Sequence, residues 1–420
     1  SFPTRRSSDL KHKDKIQCSH CGLETNEYMT LTTTINRKIN VCKKCAIKDG
    51  LIEQSELEIL QEMPLLTPKE IYEKLDKKIV GQNSSKKCFS VELYNHLLRL
   101  KMKDKLKAMG KKINKSNILL TGPSGTGKTL LAQAVSEILN IPMVICTATT
   151  LTEHGYSGMD VESMLSALLS TCDYNVKLAE KGIIFIDEID KLAKRDIGDL
   201  SKDVNASGVQ RSLLRMLESE VCHVPANGSR LHPGQTMIEI DTTDILFICG
   251  GAFSDIDKIV EQRLRQREKG ASSSTIGFRA NNSKRREYTL QKLRSSITVE
   301  DLIEYGMLQE FLGRFIISNL EPLSLSDMVE ILKLPCGILD EYKTYFQLIG
   351  KSLNVQNSAL EHIAKIALSN STGARGIRNI LKNLLEESMF TAPSDQDTTK
   401  YLITQKTLEK FYKSTLEETA

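Results

Sequence analysis

The chain has 420 residues, enough for roughly two or three domains. Its 57 basic and 53 acidic residues leave a formal net charge of only +4, and 40% hydrophobic with 26% charged residues is ordinary for a globular protein. This balance argues against a nucleic-acid partner, and no apolar run approaches the roughly 20 residues that cross a bilayer, which argues against a membrane partner.

The first ten residues, SFPTRRSSDL, contain no initiator methionine and fit nothing that follows them. They look like the translation of a sequencing-adapter primer, so we expect residues 1–10 to be an artefact and exclude them from the fold prediction. A targeting peptide can then be neither recognised nor ruled out.

The ten cysteines indicate a reducing compartment. Four form two pairs near the start, and the other six are scattered, several inside apolar stretches such as MVIC and LFIC, as is typical of buried thiols. We therefore expect a bacterial-type cytoplasmic location. An organellar matrix stays open because the natural N-terminus is expected to be missing.

Residues 11–52 are predicted to be a zinc module. They contain two C-x-x-C pairs, Cys18 with Cys21 and Cys42 with Cys45, and four thiolates at this spacing can complete a tetrahedron around Zn²⁺. A segment of about 40 residues buries too little core to fold alone, so the metal would supply the folding energy. A redox pair and chance spacing are the alternatives. The module offers no aromatic surface for stacking bases, so we expect it to bind proteins, such as substrates or adaptors.

Residues 53–66 are acidic and are predicted to be a linker. A helix is predicted to begin directly after them, because Thr67 can cap it, Pro68 suits its first turn and Glu70 completes a capping box. The seven lysines within residues 101–115 are interpreted as a solvated helix and loop.

The remaining chain is predicted to form two domains, an α/β domain at 67–320 and a mostly helical domain at 321–420. In the first, short apolar runs alternate with helical stretches, as in a buried parallel sheet. The predicted strands are NILLT (117–121), GIIFID (182–187) and DILFIC (244–249). After about residue 320 the strand pattern fades and helical spacing dominates.

A complete P-loop motif, GPSGTGKT, lies between a predicted strand and a predicted helix. Its glycines let backbone N–H groups turn toward phosphate oxygens, and the helix start adds partial positive charge. Lys128 is expected to reach the terminal phosphates of ATP, and Thr129 to bind Mg²⁺. The alternative is a chance glycine-rich turn. The expected nucleotide-binding residues are Gly122, Pro123, Ser124, Gly125, Thr126, Gly127, Lys128 and Thr129.

Two acids, Asp187 and Glu188, end the strand pattern of residues 183–186. In a parallel sheet this places them at the carboxyl edge, beside the P-loop. Asp187 is expected to bind Mg²⁺, and Glu188 is expected to polarise the water that attacks the γ-phosphate. A solvated strand end is the alternative. Together the two motifs predict ATP hydrolysis.

This order of modules resembles the ClpX family of the AAA+ class, the ATP-binding, substrate-unfolding subunits of Clp proteases. Four further segments resemble that family's adenine segment, sensor-1 strand, arginine-finger motif and sensor-2 motif: LDKKIVGQ (75–82), ILFICGGAF (245–253), EFLGRF (310–315) and STGARGIRNIL (371–381). The resemblance implies that Ile79 and Val80 pack on adenine. It also implies that Arg314 acts on a neighbouring subunit's nucleotide and Arg375 on its own, within a homohexameric ring.

The resemblance also implies a substrate pore. Tyr156 in GYSG (155–158) matches the family's first pore loop, where an aromatic side chain grips polypeptide without reading its sequence. Arg230 and His232 match a basic motif at the pore entrance. Ser157 and Leu231 depart from the residues usual in the family, so we expect grip and recognition of acidic tails to be tuned differently.

The apolar tripeptide Ile276, Gly277 and Phe278 lies in an otherwise polar stretch, ASSSTIGFRANNSKRR. In the ClpX family such a loop docks into apolar clefts of the ClpP peptidase ring, and several weak contacts per ring act together. The alternative is an apolar pair that folds back on its own domain.

The sequence thus predicts an α/β AAA+ ATPase with a helical small domain and a zinc module built from four cysteines. We expect an unfoldase and translocase that feeds a ClpP-type peptidase, using ATP, Mg²⁺ and Zn²⁺, without peptidase activity of its own. The alternatives are an HslU-like unfoldase, a peptidase-independent chaperone and, less favoured, a nucleic-acid motor.

Overall fold

The computed structural model describes most of the chain from residue 63 onward and parts of the preceding segment. The described residues are 5–6, 11–19, 22, 24–32, 38–42, 45, 52–53, 63–152, 159–194, 200–218, 220–225, 237–272, 288–335, 337–370, 373–395 and 398–409. Several predicted site residues lie outside them: Cys21, Tyr156, Ser157, Arg230, Leu231, His232, Ile276, Gly277 and Phe278.

Short strands form the N-terminal part. They are β1 (Arg5–Arg6), β2 (Lys11–Gln17), β3 (Glu24–Thr32), β4 (Lys38–Cys42) and β5 (Ile52–Glu53). β2, β3 and β4 make an antiparallel sheet in which Tyr28 lies opposite Cys42. β1 pairs in parallel with β5, although it lies in the segment excluded from the fold prediction. The origin of residues 1–10 stays a prediction.

Three helices precede the central sheet: α1 (Pro68–Asp76), α2 (Asn83–Lys101) and α3 (Lys103–Ala108). The predicted start of α1 is confirmed, because the Thr67 hydroxyl accepts from the Glu70 amide at 3.3 Å and the Glu70 carboxylate accepts from the Thr67 amide at 2.7 Å. The lysine-rich segment was interpreted only partly correctly. α3 has no buried residue, but Lys115 turns inward and its Nζ donates to the carbonyl oxygens of Met216 and Thr242.

The central unit alternates strands and helices, as predicted. Its elements are β6 (Asn117–Thr121), α4 (Lys128–Leu139), β7 (Met143–Thr147), β8 (Leu151–Thr152), β9 (Met159–Asp160), α5 (Ser163–Thr171), α6 (Val176–Ala179), β10 (Ile183–Asp187), α7 (Leu200–Leu217), β11 (Val221–Pro225), β12 (Met237–Asp241), β13 (Leu246–Gly251), α8 (Ile256–Ser272), α9 (Leu290–Ser295), α10 (Val299–Glu304), α11 (Gln309–Leu312) and β14 (Phe315–Asn319).

Five parallel strands form the main sheet in the order β14-β6-β13-β10-β7. β6, β13 and all but the last residue of β10 are buried, which explains why their apolar runs identified them as strands. Successive residues of β6 point to opposite faces, so Leu119 belongs to one apolar cluster, while Ile118 and Leu120 belong to another. The sheet is therefore covered on both faces.

The C-terminal unit is mainly helical. It contains α12 (Leu325–Lys333), α13 (Ile338–Leu348), β15 (Ser352–Val355), α14 (Asn357–Ser369), α15 (Ala374–Thr391) and β16 (Lys400–Ile403) around a third apolar cluster. The parallel pairing of β15 with β16 was not predicted. The bounds 67–320 and 321–420 stay predictions. Among the described residues, every helix is too short or too polar to cross a lipid bilayer.

Candidate functional site

The P-loop connects β6 to α4 at the carboxyl edge of the main sheet. Gly122 is required there, because its φ is +154° and an added Cβ would lie 2.8 Å from the Cβ of Leu320. Gly127 has a φ of +97° and open space where a Cβ would be. The loop therefore presents backbone and the start of α4 to the outside, which is the arrangement that receives phosphate oxygens.

Lys128 is buried and bent into the loop. Its Nζ donates to the carbonyl oxygens of Gly122 at 2.6 Å and Pro123 at 2.9 Å. Burial lowers the pKa of Lys128 to about 8, although Asp187 and Asp190 oppose the shift. A buried ammonium whose charge is this poorly compensated fits a phosphate anion as its partner.

Thr129 and Asp187 lie together, as predicted for a magnesium site. The Thr129 hydroxyl donates to Asp187 Oδ2 at 3.0 Å, which places a hydroxyl and a carboxylate, both ligands that Mg²⁺ accepts, beside the phosphate loop. Glu188 follows with a left-handed φ of +57°, and its amide donates to Asp187 Oδ1 at 2.9 Å. Its side chain is exposed, as a residue that polarises water requires.

Arg375 approaches the P-loop from the C-terminal unit. Its Nη1 donates to the Ser124 hydroxyl at 3.4 Å. The backbone also approaches the P-loop closely at Gly373, where an added Cβ would lie 2.8 Å from the backbone oxygen of Ser124. The N-terminus of α15 thus packs on the phosphate loop of its own chain. A cleft between α4 and α15 is lined by Gly125, Gly127, Lys128, Thr129, Leu130, Gln133, Ile338, Ala374, Arg375, Arg378 and Asn379.

Ile79 and Val80 lie between α1 and α2. Ile79 is buried in the apolar cluster on one sheet face, and Val80 is half-buried. Next to them, the Gln82 side chain exchanges two 2.8 Å hydrogen bonds with the backbone of Glu321, which leads into α12. The described lining of the cleft includes neither Ile79 nor Val80, so their contact with adenine stays a prediction.

Arg314 lies at the opposite edge of the sheet. It directly precedes β14, whose first residue is paired with Asn117 at the start of β6, whereas the P-loop follows the end of β6. A five-residue strand separates the two, which is about 15 Å. The structure therefore does not bring Arg314 to the P-loop of its own chain. Its guanidinium instead pairs with Glu218 at 2.5 Å.

Two acids at these edges were not predicted. Asp190 accepts a hydrogen bond from the Ala252 amide at 3.1 Å. This bond connects the turn after β10, which carries Asp187 and Glu188, to the end of β13. Its Oδ2 is buried and has no hydrogen-bond partner among the described residues. Glu218 is 96 residues from Arg314 in sequence, and no local pattern indicates their contact.

Three of the four predicted zinc ligands cluster. The sulfur atoms of Cys18, Cys42 and Cys45 all lie within 4.8 Å of one another, and all three residues are buried. The Cys42 amide donates to Cys18 Sγ at 3.2 Å, and the Cys45 amide to Cys42 Sγ at 3.4 Å. Amide donors of this kind stabilise thiolates, so these residues fit a zinc ion.

Comparisons with known proteins agree with this architecture. Residues 113–318 match the family described as AAA domain (Cdc48 subfamily), and residues 323–404 match the C-terminal, D2-small domain, of ClpB protein. Curated relatives from two strains of Porphyromonas gingivalis, each named ATP-dependent Clp protease ATP-binding subunit ClpX, are 37% identical over 403 residues. The match covers 93% of this chain and 94% of each relative. The chain therefore belongs to the ClpX family of AAA+ ATPases.

Proposed function

We propose that this chain is an ATP-dependent protein unfoldase and translocase, which works as a homohexameric ring and delivers unfolded polypeptides to a ClpP-type peptidase. The observation that carries the proposal is the division of the ATPase machinery. Lys128, Thr129, Asp187 and Arg375 meet at one edge of the sheet, while Arg314 lies at the other. A second subunit is needed to complete the site, and a ring supplies one at every interface.

Each residue at the nucleotide edge has a distinct proposed role. The P-loop amides and Lys128 hold the phosphates, and Thr129 and Asp187 hold Mg²⁺, which neutralises phosphate charge when bound. Glu188 accepts a proton from the attacking water. Arg375 reports the nucleotide to the C-terminal unit, because α15 packs directly on the P-loop.

The parts that act on other proteins lie outside the described residues and are proposed from the sequence. Tyr156 grips the translocating chain, Arg230 and His232 receive acidic substrate tails, and the loop at 276–278 docks on the peptidase. We propose the reducing, bacterial-type cytoplasm as the location, because the cysteines that the structure describes form no disulfide bond.

The cysteine cluster is proposed to bind one structural zinc ion, with Cys21 as the fourth ligand, in a module that receives substrates or adaptors. Cys42→Ser should remove the zinc measured in the purified protein. Cys88→Ser should retain it, because Cys88 is a half-buried thiol on α2, outside the cluster. Equal zinc content in both variants would contradict the assignment.

A degradation assay tests the proposed function. The zinc-loaded protein is mixed with a ClpP-type peptidase and a tagged, stably folded substrate, with and without ATP. We expect ATP-dependent degradation that Glu188→Gln abolishes. Ile276→Glu combined with Phe278→Ala should abolish degradation and spare ATP hydrolysis. Unfolding without degradation would indicate a different peptidase or a chaperone, and ATPase activity that depends on DNA would indicate a nucleic-acid motor.

A further inference from the structure

The backbone of Arg314 is fixed independently of its side chain. Its amide donates to the carbonyl of Phe311 at 3.1 Å, and its carbonyl accepts from the Asn117 side chain at 3.2 Å. The rings of Phe311 and Phe315, on either side of it, pack at 4.8 Å between centroids. The position of the Cα atom is therefore set by β6 and the core, while the direction of the guanidinium needs a separate determinant.

Glu218, directly after α7, supplies a contact to this guanidinium. Its Oε1 accepts from Arg314 Nη2 at 2.5 Å. Among the described residues, Glu218 is the one hydrogen-bond partner of the Arg314 side chain. This hydrogen bond uses one of the three guanidinium nitrogens. Nothing in the described part of the chain binds Nε or Nη1, so the same arginine can bind Glu218 and a phosphate at once.

The Glu218 carboxylate lies among basic side chains. Arg314 and Glu218 line a recess at the amino edge of the sheet together with Arg99, Lys112 and Lys115. Among the described residues that line this recess, Glu218 is the only acidic one. Without its charge, the described lining of this recess would contain no carboxylate to hold the Arg314 guanidinium in its present position.

The contact orients Arg314 without locking it. Both side chains are about half exposed, at 50% for Arg314 and 47% for Glu218. Ion pairs between groups this exposed change an equilibrium by roughly fivefold at most. Such a pair is strong enough to favour one direction of the guanidinium and weak enough to permit adjustment when a phosphate arrives.

We infer that Glu218 is a positioning residue for ATP hydrolysis between subunits: it aims the Arg314 guanidinium from the amino edge of the sheet at the γ-phosphate bound by the neighbouring subunit. The inference rests on the proposed function, because Glu218 acts only through Arg314.

The test is a double-mutant cycle on ATP hydrolysis, measured with the full chain at concentrations where ring assembly is complete. Glu218→Gln should lower kcat by about two- to fivefold and leave the dissociation constant of ATP unchanged, because the nucleotide-binding residues of the same chain stay intact. In an Arg314→Ala background, Glu218→Gln should have no further effect. Glu220→Gln, an exposed acid two residues away, is the matched control and should keep normal kcat.

The outcomes separate this inference from the proposed function. If Arg314→Ala leaves kcat normal, the arginine-finger role itself is wrong. If Arg314→Ala lowers kcat while Glu218→Gln does not, or if the two losses multiply in the double variant, Arg314 keeps its role and Glu218 is not its positioning residue. A fall in kcat for Glu218→Gln that vanishes in the Arg314→Ala background supports the inference.

Discussion

The two edges of the main sheet carry charged groups that are used in different ways. At the carboxyl edge, Lys128, Asp187 and Arg375 come from separate elements and converge around the P-loop of one chain. At the amino edge, Arg314 faces away from that site, about 15 Å along β6. The fold therefore brings one set of charged groups together and keeps Arg314 apart from them, as the proposed action of Arg314 on a neighbouring subunit requires.

The edges also differ in how their charges are compensated. Asp244 at the amino edge is 3% exposed and accepts from Arg99 at 2.9 Å, Lys103 at 2.8 Å and Lys181 at 2.6 Å. Burial alone would raise the pKa of Asp244, but Lys181 and Lys103 hold it well below its usual range. The Asp244 carboxylate therefore stabilises the fold, whereas the groups around Lys128 are arranged to bind a ligand.

The largest expected effect comes from Arg314→Ala. We expect kcat for ATP hydrolysis to fall by about 10³-fold, the scale on which arginine fingers act, and ATP affinity to change little. Steady-state kinetics and equilibrium binding of a fluorescent ATP analogue would measure the two quantities. Arg215→Ala, an exposed arginine on α7, is the control and should keep normal kcat. Weakened binding with an unchanged kcat would instead place Arg314 in the nucleotide cleft.

The next effect concerns stability at the amino edge. Asp244→Asn should lower the free energy of unfolding by about 3–5 kcal/mol, because it leaves the buried Arg99 and Lys181 without their carboxylate. Urea denaturation would measure the loss. Asp104→Asn, at an exposed position of α3, should cost less than about 0.5 kcal/mol. Equal losses of unfolding free energy in the two variants would contradict the stabilising role of Asp244 at the amino edge.

The smallest predicted effect is a pH dependence from Lys115. Burial, with Arg99 nearby, lowers its pKa to about 7, although Asp241 and Asp244 oppose the shift. Between about pH 7 and its ordinary pKa of 10.5, the unfolded chain binds this proton and the folded chain does not, so stability rises with pH. Cys222 also faces Lys115, but its pKa is raised to about 11 by burial, so it stays neutral below that.

Lys115→Met isolates this contribution. The loss of hydrogen bonds to the carbonyl groups costs the variant the same at every pH, so the slope is informative. From pH 7 to pH 9, the free energy of unfolding of the unmodified protein should rise by about 2 kcal/mol relative to the variant. Urea denaturation at both pH values gives the comparison. Parallel pH profiles would show that Lys115 does not titrate in this window.

Sequence patterns predicted the parts of the fold that depend on local order. β6, β10 and β13 are central strands whose apolar runs reflect burial on both faces, and the capping box at Thr67 places its partners three residues apart. The P-loop was predictable for the same reason, because its strand, glycines and helix are contiguous. β7 and β14 lie at the edges of the sheet and are only partly buried, so their short runs were not recognised.

Contacts between residues that are far apart in sequence could not be predicted, because no local sequence pattern indicates them. Glu218 and Arg314 are 96 residues apart, and Lys181 and Asp244 are 63 apart. Lys181 and Asp244 meet because each lies just before one of the paired parallel strands β10 and β13. Glu218 meets Arg314 because the end of α7 lies beside the start of β14. The strands β15 and β16 have four residues each and are separated by two helices, which hid their pairing. The roles of the site residues themselves remain proposals that kinetics must test.

The central claim is that one chain supplies the base and its neighbour supplies the arginine. The most direct measurement mixes Glu188→Gln subunits with Arg314→Ala subunits, each nearly inactive alone, and follows ATP hydrolysis. Because random rings pair an intact base with a neighbour's intact arginine at about a quarter of interfaces, activity should recover to about a quarter of normal. No recovery from rings shown to contain both variants would mean that the two residues serve the same subunit's nucleotide, and the account would be contradicted.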